Sequence, residues 1–261
     1  MNIVACLKQV PGTTEVKIDP KTNTLIRQGI ENIINPFDTY ALEEAVRLKD
    51  KHGGKVTVVT MGPPQADAAL REAISLGADE ALLLSDRAFA GADTWATAFT
   101  LSRAIVKLEK IDLVICGRQT IDGDTGQVGP EMAEMLTMPF VAYVSRIEEI
   151  KEAYLRVSRM TEEGHETIEA TLPAVITVAK EINVPRVPSL RGIMRSKSAK
   201  ILTWGIQELG VDKDSVGLAG SSTQVIKIFF PQRIHKAEIF SGDLEKQADA
   251  LIDRLKSARI C

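Results

Sequence analysis

The 261-residue sequence has few cysteines, no long apolar run and no excess of one charge. Its three cysteines, Cys6, Cys116 and Cys261, are far apart and form no C-x-x-C pair, which argues against a zinc or iron–sulfur site. An odd number of thiols fits a reducing compartment better than a disulfide framework. No apolar stretch approaches the roughly 18–20 residues that span a bilayer. These absences predict a cytoplasmic protein without a membrane span.

Charge and catalytic signatures are equally sparse. The 32 basic and 35 acidic residues leave a net charge of −3, so no strong field favours nucleic acid. None of the patterns G-x-x-x-x-G-K-[S/T], G-x-G-x-x-G and G-x-S-x-G occurs. The histidines, His52, His165 and His235, are isolated and lack metal-ligand spacing. We therefore expect neither a catalytic residue nor a metal site.

Strand-like runs alternate with helical patterns over the first ~145 residues, which is typical of a parallel sheet with crossover helices. The expected strands are Asn2–Lys8, Lys55–Met61, Glu80–Ser85, Asp112–Cys116 and Phe140–Ile147. We predict an α/β fold: a doubly wound, mostly parallel, Rossmann-like sheet with helices on both faces. A strand order of the 3-2-1-4-5 kind sets strands one and four side by side. Their carboxyl ends, near Lys8 and Gly117, would then form one crevice.

The loop after the fourth strand, residues 117–130, is the most informative segment. It contains four glycines and two acids and leads into a short helix. Its length is about twice the 2–6 residues usual for such connections. Glycines allow backbone N–H groups to approach a phosphate, and a helix N-terminus adds donors and a positive dipole end. The loop predicts a cradle for a nucleotide diphosphate; the alternative is a purely structural turn.

Several positions near this crevice have two interpretations. Asn35 and Pro36 suit a helix start, but Asn35 could also recognise adenine or ribose. Met61 fits either the core or the wall of an adenine pocket. Asp122 and Asp124 would repel a diphosphate, so we expect caps, ribose-hydroxyl acceptors or ligands of the loop's own amides. Asp124 and Gln127 have capping-box spacing, although Pro130 favours a helix start beside it.

The chain changes character after residue 147. Three short strands are expected over 154–179, followed by 183–200, which has two prolines and five basic residues. This stretch predicts a mobile or partner-facing loop, with a solvated basic face as the alternative. A strand at Gln224–Phe229 and an amphipathic helix at Asp243–Arg259 are expected beyond it. We therefore expect a nucleotide-binding domain over 1–184 with a β-hairpin near 15–27, a loop over 185–200, and a C-terminal arm over 201–261.

These residues together resemble the beta subunit of electron-transfer flavoproteins over essentially the whole chain. The motifs are Asn35-Pro36-Phe37 with residues 43–49, the Gly117–Val128 loop, Leu172-Pro173-Ala174-Val175, and Leu190-x-x-Ile193-Met194. Ordinary members hold FAD mainly in the alpha subunit and AMP in beta. In the electron-bifurcating branch the beta loop reads Asp-Gly-Asp-Thr-x-Gln-Val-Gly-Pro and FAD replaces AMP. Residues 122–130 match this pattern, with Gly126 where alanine is most common.

The resemblance implies specific contacts. Nucleotide binding is expected at Cys6, Asn35, Pro36, Phe37, Asp38, Met61 and Thr94, and throughout the loop: Gly117, Arg118, Gln119, Thr120, Ile121, Asp122, Gly123, Asp124, Thr125, Gly126, Gln127 and Val128. The partner-binding set is Leu190 as an anchor, with Arg191, Ile193, Met194, Arg195, Lys197 and Lys200. The terminal helix would pack on the alpha subunit.

The implied function is electron bifurcation within a heterodimer. NADH would donate a hydride to FAD in the beta subunit, and electrons would pass to ferredoxin or flavodoxin. The alpha-subunit FAD would carry electrons to a flavin dehydrogenase such as an acyl-CoA dehydrogenase. One alternative is an ordinary beta subunit with structural AMP. Another, from a different class, is a nucleotide-binding module of the universal-stress type.

Overall fold

The computed structural model describes residues 1–12, 17–18, 25–26, 31–108, 110–227 and 237–260. The chain divides into two units, Met1–Ile226 and Lys227–Cys261. The first unit therefore extends well past residue 200, where the sequence suggested that an arm begins.

Strands and helices alternate through the first unit. The strands in the described residues are β1 (Asn2–Cys6), β2 (Gln9–Pro11), β3 (Lys17–Ile18), β4 (Leu25–Ile26), β5 (Asn32–Ile34), β6 (Lys55–Met61), β7 (Glu80–Leu84), β8 (Leu113–Gly117), β9 (Phe140–Ile150), β10 (Tyr154–Thr161), β11 (Gly164–Thr171), β12 (Ala174–Val178) and β13 (Leu202–Trp204). The helices are α1 (Pro36–His52), α2 (Asp67–Ser75), α3 (Thr94–Lys107), α4 (Val128–Leu136), α5 (Leu190–Ser198), α6 (Ile206–Leu209) and, in the second unit, α7 (Leu244–Ser257).

Nine strands form one sheet in the order β11-β10-β9-β12-β8-β1-β6-β7-β13. Every neighbouring pair from β9 to β13 is parallel, whereas β10 runs antiparallel to both of its neighbours. β1 and β8 lie side by side, as predicted, and Cys6 is opposite Cys116. β12, not the strand at Phe140, occupies the next position. β12 is buried along its whole length and β9 only intermittently, so β12 suits the sheet interior.

Helices cover both faces of this sheet, which confirms the predicted fold class. Successive side chains of a strand point to opposite faces. Ile3 and Ala5 of β1 therefore pack in the core cluster that includes α1 and α2. Val4 and Cys6 pack in the second cluster, with α3, α4 and α6. The alternation leaves the two cysteines on the face that carries the glycine loop's helix, α4.

The segment 183–200 differs from its prediction as a loop, because residues 190–198 form α5. Ser189 caps this helix by accepting a hydrogen bond from the Gly192 N–H at 3.0 Å. α5 packs on α2, far away in sequence, so local composition could not reveal it. The next residues also differ from an arm, since β13 pairs with β7 in the main sheet.

Two other expectations fall partly outside the described residues. β3 and β4 pair antiparallel within the hairpin predicted near 15–27. Residues 224–227 form no strand, and 228–229 lie beyond the described range. In the second unit, α7 begins after Asp243, whose carboxylate accepts from the Lys246 N–H, close to the predicted bounds. Among the described residues, no helix is long and apolar enough to cross a membrane.

Candidate functional site

A crevice of about 900 Å³ lies at the carboxyl ends of β1 and β8, where the strand order predicts a ligand site. Most of the predicted nucleotide contacts line it: Cys6, Asp38, Met61, Thr94, Gly117, Arg118, Gln119, Thr120, Gly123, Thr125, Gly126, Gln127 and Val128. The remaining ones, Asn35, Pro36, Phe37, Ile121, Asp122 and Asp124, are not among the residues that line it. Asn35, Ile121, Asp122 and Asp124 instead make hydrogen bonds or ion pairs that hold the loop.

Asn35 is fully buried and holds the loop to the start of α1. Its Nδ2 donates to the Gln119 carbonyl at 2.9 Å, and its Oδ1 accepts from the Ile121 N–H at 3.1 Å. It occupies the N-cap position, yet its side chain makes no capping hydrogen bond. The local capping interpretation is therefore wrong in detail. The side chain bonds the glycine loop, which is more than eighty positions away.

The two loop acids also act within the protein. Asp122 forms an ion pair with Lys8 at 2.7 Å. Asp124 has a positive φ of 54°, its N–H donates to the Thr120 carbonyl at 2.9 Å, and its carboxylate accepts from Gln119 Nε2. The predicted capping box with Gln127 does not form, because α4 begins at Val128 with no side-chain cap. Both carboxylates therefore stabilise the loop.

The loop leaves a row of backbone donors free at the start of α4. Within the described chain, the N–H groups of Thr125, Gly126, Gln127 and Val128 have no hydrogen-bond acceptor, and all four residues line the crevice. Gly126 has a φ of 64°, which favours glycine. A Cβ at Gly123 would meet only Thr120 Oγ1, at 3.5 Å. The arrangement offers donors and open space to an anion.

The crevice floor joins one carboxyl and two thiols. Burial raises the pKa of Asp38 to about 7, although the backbone N–H groups of Lys8 and Gly117 donate to its carboxylate. A hydrogen bond with Cys6, together with burial, raises the pKa of the Cys116 thiol. Gly117 has to be glycine, since a Cβ there would lie 2.7 Å from the Phe37 carbonyl carbon. Close contact between β8 and α1 thus shapes the floor.

The opposite wall was missed by sequence reasoning. It includes Phe89, Asp93, Trp95, Glu131 and Thr223. Asp93 caps α3, and its carboxylate also accepts from the Thr223 N–H at 2.8 Å. Glu131 accepts from the Thr94 hydroxyl at 3.0 Å, and burial raises its pKa. The N-cap position of Asp93 is a local signal that could have located it, but no local signal places residue 223 here. In the part of the chain with assigned positions, no His, Cys, Asp and Glu group has metal-site geometry.

The predicted partner-binding residues lie together on and after α5 and do not line this crevice. Leu190 and Met194, one turn apart, are 83% and 73% exposed. The other members, Arg191, Ile193, Arg195, Lys197 and Lys200, are exposed as well. Arg195 differs from the others, because its guanidinium donates to the Ile74 carbonyl at 3.0 Å and to the Ala78 carbonyl. Arg195 therefore holds α5 in place as well as carrying charge.

Comparison with known proteins identifies the family. Residues 22–209 match the electron transfer flavoprotein domain. The chain is 53% identical to electron transfer flavoprotein subunit beta of Thermoanaerobacterium thermosaccharolyticum and 48% identical to caffeyl-CoA reductase–Etf complex subunit CarD of Acetobacterium woodii, each over 100% of both chains. It is 45% identical to FixA of Azotobacter vinelandii, over 98% of this chain and 94% of the relative. The chain belongs to the electron transfer flavoprotein beta-subunit family.

Proposed function

We propose that this chain is the beta subunit of an electron-bifurcating flavoprotein and binds FAD in the crevice. The observation that carries the proposal is the cradle: the N–H groups of Thr125–Val128, which have no acceptor among the described residues, lie beside open space at Gly123. A diphosphate is bound best where several backbone donors converge at a helix N-terminus. A crevice near 900 Å³ is also at the upper end of the roughly 300–1,000 Å³ range of ligand pockets, which suits a dinucleotide.

An ordinary beta subunit with structural AMP is the second candidate. The loop sequence at 122–130 favours FAD, because a side chain at position 123 would occupy the space beside Thr120. The universal-stress alternative has no support, since the relatives match over the full chain, including 185–261.

In the proposed complex, which we place in the cytoplasm, FAD held by the 117–128 loop would supply the hydride chemistry with NADH. Of the two electrons of the hydride, one would pass to ferredoxin or flavodoxin and the other, through FAD of the alpha subunit, to a flavin dehydrogenase. The residues of this chain bind and orient the nucleotide. The amide row holds the anionic group, whereas Asn35 and the Lys8–Asp122 ion pair hold the loop. No side chain is required as a nucleophile or general base.

α5 is the proposed contact for the dehydrogenase, because it presents Leu190 and Met194 among basic side chains. The name of the CarD relative supports an acyl-CoA oxidoreductase as the partner class. Leu190→Ala should slow electron transfer to the dehydrogenase and leave flavin content intact. Val106→Ala, at a 64% exposed position on α3, is the matched control. Simultaneous loss of flavin would mean that Leu190 is structural.

Nucleotide content tests the main proposal. The chain is coexpressed with its alpha subunit, and FAD and AMP released on denaturation are quantified. We expect two FAD and no AMP per heterodimer, falling toward one FAD in Gly123→Glu because the carboxylate crowds and repels the diphosphate. One FAD plus one AMP in the parent complex would contradict bifurcation. An unchanged flavin count in the variant would contradict the loop assignment.

A further inference from the structure

Among the residues that the structure describes, Arg118 has no ion-pair partner in the crevice. Among the described lining residues only Lys8 and Arg118 carry positive charge, and Lys8 is paired with Asp122. Arg118 Nε is buried without a hydrogen-bond partner. A buried guanidinium nitrogen in this condition is costly unless a ligand completes it. The Arg118 carbonyl also lies beside Gly126, where a Cβ would approach it to 3.3 Å, so this residue adjoins the amide row.

Two aromatic rings hold the Arg118 guanidinium. Its central carbon lies 5.0 Å from the Phe37 ring centre and 5.9 Å from that of Tyr143. Phe37 comes from the first turn of α1, and Tyr143 from β9. Ring faces attract the cation without accepting its N–H groups in conventional hydrogen bonds. The two rings therefore orient the guanidinium and leave its donors available.

Tyr143 reaches this position through a strained backbone. Its φ is +56°, although it is not a glycine and lies within the strand β9. Its N–H donates to Thr177 Oγ1 at 3.2 Å, where the register between β9 and β12 shifts. Bulges of this kind re-aim side chains, and strain of this kind concentrates at binding sites.

We propose that Tyr143 is a positioning residue that, together with Phe37, presents the Arg118 guanidinium to the diphosphate of the bound dinucleotide. This inference rests on the proposed function, because it assumes that the crevice binds a nucleotide. A planar guanidinium binds phosphate oxygens in pairs, which complements single N–H donors from the amide row. The strained bulge is retained because a regular strand would direct residue 143 elsewhere.

The proposal is tested by measuring the affinities of ADP and adenosine for the full chain by calorimetry. The ratio of the two affinities isolates the phosphate contribution. Arg118→Gln should lower this ratio about tenfold or more, as expected for loss of a charged hydrogen bond. Tyr143→Asn tolerates the positive φ but lacks the ring, and should lower the ratio severalfold. Tyr143→Phe should restore it. Arg146→Gln removes an exposed arginine from the same strand and is the control.

The outcomes distinguish this inference from the proposed function. Adenosine affinity should stay constant across all variants, since the stack acts on phosphate. Equal losses for adenosine and ADP in Tyr143→Asn would make Tyr143 merely structural and overturn the proposal. An unchanged ratio in Arg118→Gln would overturn it while leaving nucleotide binding intact. Failure of the parent chain to bind either compound would overturn both this inference and the proposed function.

Discussion

The glycine loop, 117–128, and the basic segment, 183–200, both have loop-like sequences. They differ in how the hydrogen bonds of their backbone N–H and C=O groups are satisfied. The glycine loop is irregular, is held by Asn35 and Lys8, and keeps four N–H groups free. In the basic segment, residues 190–198 fold into α5, and Ser189 caps its first turn. A loop that presents several free backbone donors can bind an anion directly. A helix exposes mainly side chains along its length, so α5 offers a side-chain surface.

α5 is secured by two arginines that cap each other's helices. Arg71 of α2 donates to the Ser196 carbonyl at 2.8 Å and the Ala199 carbonyl at 3.3 Å, at the end of α5. Arg195 of α5 donates to the Ile74 carbonyl, at the end of α2. Cations at helix C-termini satisfy free carbonyls and complement the dipole. The proposed docking face is therefore pre-formed.

The largest expected contrast is in pH dependence. Asp38, at the base of the glycine loop, has its folded-state pKa raised from 3.8 to about 7 by burial. The folded state then binds more protons, so the free energy of unfolding should fall by about 3 kcal/mol between pH 4 and 7 and level off above about pH 8. Asp38→Asn should remove this slope, and Asp249→Asn on α7 should keep it. Denaturant unfolding across this range checks it; equal slopes in both variants would contradict it.

The next largest contrast is expected when a glycine is replaced by alanine in each of the two segments, because the free energy of unfolding should fall much more in the basic segment than in the glycine loop. A Cβ at Gly192 would overlap the Ser75 carbonyl of α2, whereas Gly123 has open space. We expect Gly192→Ala to lower the free energy of unfolding by about 3 kcal/mol through overpacking. Gly123→Ala should change it by less than about 0.5 kcal/mol. Urea unfolding of both variants measures the difference, and matching midpoints would show that α5 does not pack as described.

Two buried asparagines offer a reciprocal test. Asn35→Ala leaves the Gln119 carbonyl and Ile121 N–H without partners, so about 2 kcal/mol should be lost and the Ile121 amide should exchange faster. Asn183 donates to the Tyr40 carbonyl and to the Glu44 carboxylate, both in α1. Asn183→Ala should loosen 183–186 instead. Hydrogen exchange by segment distinguishes them, and faster exchange in the same segment for both would refute separate anchoring.

The smallest effect is expected at Arg71. Arg71→Met removes the caps on α5, which should cost about 1 kcal/mol because the side chain is partly exposed. Amide exchange over 194–198 should accelerate while the glycine loop stays unchanged. Asp67→Asn removes only the ion pair within α2 and should cost a few tenths of a kcal/mol. No acceleration in Arg71→Met would show that α5 is stable without its caps.

Local sequence was sufficient where a segment's structure depends on its own residues. The apolar run Lys55–Met61 matched its strand, and Pro36 marked the start of α1. The glycines and helix start at 117–130 identified the loop and its position beside β1. β12 lies between β8 and β9, a position that the spacing of apolar residues in the sequence did not predict. This position agrees with the burial of β12 along 174–178.

Long-range contacts account for the remainder. Asn35 has a capping sequence, but its partners are in the glycine loop. α5 depends on Arg71, and the far wall of the crevice depends on Asp93 holding Thr223. Arg118 was expected to contact a nucleotide, yet its stack with Tyr143 requires a bulge that no local pattern announces.

The pairing of β13 with β7 has a consequence for folding while the chain is still being synthesised. Leu82–Leu84 form an apolar strand whose outer edge is covered by Leu202–Trp204. The covering strand emerges from the ribosome long after β1, β6 and β7. Until then, the nascent sheet presents an open edge of the kind that pairs with other chains. A chain truncated before residue 202 would therefore be more prone to aggregate than the full chain.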